Sequence, residues 1–69
     1  MDERVKVRVL LVFGDQAEIV ADAPDAVEPA RYPAREIARE LGVAASELPG
    51  MRLTAAVGPR DRLSGWRTA

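Results

Sequence analysis

The side chains that come nearest to a chemical constellation are four carboxylates, Asp15, Asp22, Asp25 and Glu28. Carboxylate oxygens ligate hard cations such as calcium, but a cation loop sets its ligands at close, regular intervals. These four are unevenly spread and read as solvated loop acids. The chain has no cysteine and no histidine. That removes thiolate and imidazole metal sites, iron–sulfur clusters, haem ligation by those residues, and disulfides. It also removes the Ser/His and Cys/His pairs of ordinary nucleophilic catalysis. Gly14, Gly42, Gly50 and Gly58 are spaced as turn residues, and no phosphate-cradling G-x-x-x-x-G-K-S/T is present. The expectation is a protein that is not an enzyme, with no cofactor, no metal and no small-molecule substrate.

What remains is a small folded object. Sixty-nine residues make one domain, spanning 1–69, with a thin core. At 48% hydrophobic the chain is too apolar to stay disordered. Ten basic residues stand against eleven acidic ones, for a formal net charge of −1. A nucleic-acid binder normally carries a basic footprint, so the balance argues against that partner. The longest aliphatic or aromatic run is Val9-Leu10-Leu11-Val12-Phe13, too short to cross a bilayer, and no signal-peptide core precedes it. A cytoplasmic protein with no membrane contact is expected.

Residues 5–13 (VKVRVLLVF) alternate and are rich in β-branched types, which reads as a strand. Gly14-Asp15 signals a turn, and residues 16–22 return as a second strand. A two-residue loop pairs Phe13 with Gln16 and Leu11 with Glu18, mixing apolar and charged groups. A three-residue loop pairs Phe13 with Ala17, Leu11 with Ile19 and Val9 with Ala21, and gathers one apolar face. Because a one-residue slip inverts every side chain, the second register is expected. Residues 23–33 hold Pro24, Pro29 and Pro33 and read as a connecting loop. Pro33 suits a first helical position, and Ala34, Ile37, Ala38 and Leu41 share one face of a helix that Gly42 stops. Residues 45–48 make a single turn before Pro49-Gly50. Residues 51–57 alternate again with Met51, Leu53, Ala55 and Val57 inward, and residues 62–68 return after a turn at 58–61. The order is ββαββ.

That order, with Gly42-Val43 after the helix, Arg52-Leu53 opening a strand and Arg60-Asp61-Arg62-Leu63-Ser64-Gly65-Trp66 near the end, resembles the ubiquitin-like proteins. The resemblance implies an α+β fold of β-grasp type, with one helix packed on a mixed sheet. It departs from that family at the end of the chain, where Gly65-Trp66-Arg67-Thr68-Ala69 replaces the activated diglycine tail, so conjugation and sulfur transfer are not expected. Thr54 falls where the family carries the exposed isoleucine of its recognition patch, and the family's partner surfaces do not carry over. A second likeness competes. Residues 34–43 resemble the first helix and turn of a helix-turn-helix, which makes DNA-binding regulation through residues 34–57 the alternative function. Pro49-Gly50 interrupts the second helix that motif requires.

The reading the sequence supports is a protein-interaction module that binds a protein partner, or itself as a homodimer, through the outer sheet face. On that face the first hairpin is expected to expose Leu10, Val12 and Val20 with charges around them, Arg8 among them. Trp66 is a second candidate, since tryptophan and tyrosine are over-represented at binding hot spots. More often, in a domain this small, Trp66 and Tyr32 close the edges of the core. Arg8, Leu10, Val12, Val20, Thr54 and Trp66 are the candidate protein-binding residues.

Overall fold

The computed structural model describes residues 3–23 and 28–69. Pro24 and Asp25, named above, lie outside the described residues. Five strands and one helix follow in the order β1 (Arg4–Phe13), β2 (Gln16–Ala21), β3 (Ala30–Pro33), α1 (Ala34–Leu41), β4 (Arg52–Val57) and β5 (Leu63–Thr68). A short 3₁₀ turn at Ala45–Glu47 precedes β4, and a turn at Pro59–Asp61, with Arg60 and Asp61 at positive φ, precedes β5. The strands form a single sheet in the order β3-β2-β1-β4-β5, and every pairing is antiparallel. Three consecutive strands, with a fourth returning beside the first, make a Greek key. The sheet curls into a half-barrel, and strand accounts for 51% of the structure against 22% helix.

This overturns the β-grasp expectation of ββαββ with one helix on a mixed sheet. A mixed sheet needs a parallel pair, and none of these ladders supplies one. The connecting loop at 23–33 also contains a strand. Proline disfavours helix in the residue before it, and it equally drives that residue to extended geometry. Tyr32, ahead of Pro33, is therefore pre-set for pairing, and β3 lies at the sheet edge, where a proline costs no ladder bond. Pro33 ends β3 and flanks α1 from outside, with φ −60 and ψ 119, rather than opening the helix.

The first hairpin adopts the register set aside above. Gly14 takes φ 62, and Phe13 pairs with Gln16, Val12 with Ala17 and Leu11 with Glu18. A two-residue turn with glycine first matches the twist of the flanking strands. The ladder then shifts between Leu11 and Val9, so that Val9 faces Ile19 and Val7 faces Ala21. Leu10 is the extra residue. A bulge restores the inward phase of Val7 and Val9, and it bends and twists the strand. A second shift separates Thr54–Arg67 from Ala56–Ser64, beside Gly65 at φ 60. One bulge in each hairpin supplies the curl.

The concave face holds the core: Val7, Val9, Ala17, Ile19, Tyr32, Leu48, Leu53, Ala55 and Trp66, roofed by Ala34, Ile37 and Ala38 of α1. The helix packs against β2, β3 and β5, over the gap between the sheet's two edges. Its first N–H groups have no intrahelical acceptor. That of Ala34 donates to the carbonyl of Asp15 at 2.9 Å, tying the helix start to the hairpin turn. At the other end Gly42 is left-handed (φ 73), and Gly42 and Val43 donate to the carbonyls of Arg39 and Ala38. The gap is bridged by Tyr32, whose hydroxyl accepts from the Leu63 N–H at 3.1 Å and whose ring meets Trp66 edge-on, 5.1 Å between centroids.

Candidate functional site

With the helix on the concave side, the convex face is where a site can be built. Alternation along β1 sends Arg4, Lys6 and Arg8 outward, and the ladder sets Ala56, Thr54 and Arg52 against them. Arg67 lies opposite Thr54 on β5, and Arg31 opposite Glu18 on the β2 side. The face is mostly cationic. Its acids, Glu18 and Asp22, sit 3.6 Å from Arg31 and 3.8 Å from Arg52. Arg4 is committed to the fold. Its guanidinium donates to Thr54 Oγ1, to the Thr54 carbonyl and, at 2.7 Å, to the Gly65 carbonyl.

Beyond Val9 the character of β1 changes. Ladder pairing with β4 runs from Arg4 to Arg8, after which the Val9 N–H donates to the Met51 carbonyl and the Val9 carbonyl accepts from the Gly50 N–H. Among the described residues no strand lies on that side of residues 10–13. Leu10 and Leu11 are each 42% exposed and Phe13 is 79% exposed. An apolar stretch with an unpaired edge is a template for an incoming strand.

The six candidate residues do not form one surface. Arg8 and Leu10 are exposed on the convex face. Thr54 is on it too, half-buried, its hydroxyl taken up by Arg4. Val20, opposite Arg8, is buried outside the core cluster. Val12 is half-buried and packs against the core, because the bulge turns it inward and sends Leu11 and Phe13 out. Trp66 is buried in the core at 3% exposure. Leu11 and Phe13 were thus assigned to the interior and Val12 to the surface by a register that treated β1 as regular.

The helix-turn-helix alternative loses its geometry. After α1 and Gly42 comes one 3₁₀ turn, then Gly50 at φ 86, then β4, so no recognition helix forms within residues 34–57. Among the described residues no cluster of acids is arranged to hold a metal ion, and no helix is long and apolar enough to cross a membrane. No protein-family model, curated protein or solved structure matches this chain.

Proposed function

We propose that the protein is a small non-enzymatic interaction module that docks a protein partner, or a second copy of itself, on the convex face at the far end of β1. A cytoplasmic setting, in keeping with a cysteine-free chain, is part of the same reading. The observation that carries it is the joint exposure of Leu10, Leu11 and Phe13 along a stretch of β1 that has no strand on its β4 side among the described residues. A docked strand gains main-chain bonds along that edge, and the three side chains supply the apolar contact. A core this thin also benefits, since a partner that binds only the folded state stabilises it.

The test is the assembly state by light scattering at two concentrations, beside capture from host lysate with the native chain and a Phe13→Asp bait. Concentration-dependent association, or a partner held by the native chain and lost by the variant, supports the reading. A monomer whose captured proteins are unchanged by Phe13→Asp overturns it.

A further inference from the structure

Net charge hides how this chain distributes its charges. Of its ten basic residues, Arg4, Lys6, Arg8, Arg31, Arg52 and Arg67 lie on the convex face, against Glu18 and Asp22. In α1 Glu36 and Glu40 are matched in number by Arg35 and Arg39, and Glu3, Asp15, Glu28, Glu47 and Asp61 lie outside the strands and the helix. Like charges directly across a ladder are destabilising, yet Arg8 stands opposite Arg52. Lys6, Arg8 and Arg67 have no ion-pair partner among the described residues. Arg52 alone of these four cations is paired, with Asp22 at 3.8 Å, so a surface that keeps cations abreast with one counter-charge between them is suited to an external anion.

We propose that the convex face of β1, β4 and β5 binds single-stranded nucleic acid, with phosphates on Lys6, Arg8, Arg52 and Arg67 and an unpaired base on Phe13. Three of those four cations are arginines, whose planar fork matches phosphate oxygens two at a time. Residues two apart on a strand are separated by about 7 Å and neighbouring strands by about 5 Å. The four cations therefore form a short strip rather than a point. Phe13 lies at the end of the same face, five residues beyond Arg8, about 16 Å along an extended strand. A polynucleotide running along β1 meets the strip first, then Leu10 and Leu11, then an aromatic ring that is 79% exposed. Cationic strip plus exposed ring is the combination that holds single strands without reading sequence. A duplex keeps its bases stacked and offers nothing to Phe13. This proposal does not rest on strand docking, since Lys6, Arg52 and Arg67 play no part there.

The experiment is fluorescence anisotropy of a labelled oligothymidylate of about 15 nucleotides, within the usual span of such sites, titrated with the full chain. Binding is expected at about 50 mM salt and falls with a log–log slope near −2 to −3, the value for three or four phosphates on a single strand. The double variant Arg8→Gln/Arg67→Gln weakens binding at least tenfold with an unchanged melting curve. Phe13→Ala weakens it about 5- to 150-fold, the range for one stacked base, and leaves the salt slope unchanged. No binding at low salt, or equal binding by the double variant, overturns the proposal. So does a duplex of matched length bound as tightly, or polyglutamate competing equally, which assigns the strip to an acidic polypeptide.

Discussion

Tyr32 and Leu63 belong to opposite ends of the strand order, β3 and β5, yet the Leu63 N–H donates to the Tyr32 hydroxyl at 3.1 Å. A flat five-stranded sheet holds its outer strands four strand spacings, about 19 Å, apart. The contact exists because the sheet curls, and the Tyr32 and Trp66 rings fill the gap that curling leaves. Arg62, just before β5, lies over the Tyr32 ring at 5.7 Å, and Glu40 of α1 accepts from the Trp66 backbone N–H at 3.1 Å, so β3, β5 and α1 all contribute to the seam.

Tyr32→Phe keeps the ring and removes the hydroxyl. The loss of one hydrogen bond predicts a destabilisation of about 1 kcal/mol, read as a fall of about 4–8 °C in Tm. Trp66→Ala empties the seam and is expected to cost about 3–5 kcal/mol, a large share of the stability of so small a domain. Thermal melts by circular dichroism compare the two.

The bulge at Leu10 makes a prediction opposite to that of a regular hairpin. Phe13→Asp places a charge where the side chain is already in water and changes stability by about 0.5 kcal/mol or less. Val12→Asp buries a carboxylate against the core and unfolds the chain or costs several kcal/mol. Urea denaturation decides between the two registers, because a three-residue turn reverses the order of the variants.

Gly65 sits at φ 60, and a Cβ there meets only ordinary contacts, Arg4 Nη1 at 3.7 Å and Ala56 Cβ at 3.8 Å. The cost of Gly65→Ala is therefore backbone strain alone, about 1–2 kcal/mol for a left-handed residue with a side chain. A urea midpoint shifted by more than that range points to displacement of the Arg4 guanidinium from the Gly65 carbonyl.

Asp22 holds Arg52 at 3.8 Å in a pair that is open to solvent. Surface pairs of this kind contribute about 0–1 kcal/mol, so Asp22→Asn leaves stability nearly unchanged. It also frees a cation of the strip, and oligothymidylate affinity rises several-fold in the anisotropy assay.

The regular elements were legible because local chemistry decided them. The alternation of residues 5–13, the apolar face of residues 34–41 and the stop at Gly42 each depend on neighbours in sequence. The strand at Ala30–Pro33 was hidden by prolines read only as helix breakers, although the residue before each is driven to extended geometry. The bulge at Leu10 was not legible, since nothing local marks a bulged leucine and its benefit lies in curling the whole sheet. The candidate surface inherited that error, which exchanged Val12 for Leu11 and Phe13. Arg52 and Arg67 were missed because total charge is a sum and carries no sense of side.

That one-sidedness reaches past any single ligand. A chain whose charges sum to slightly acidic still carries a patch of positive potential on one side. It is held by a cation-exchange resin at low salt despite a pI near 5.3, and it is released as added salt screens the patch.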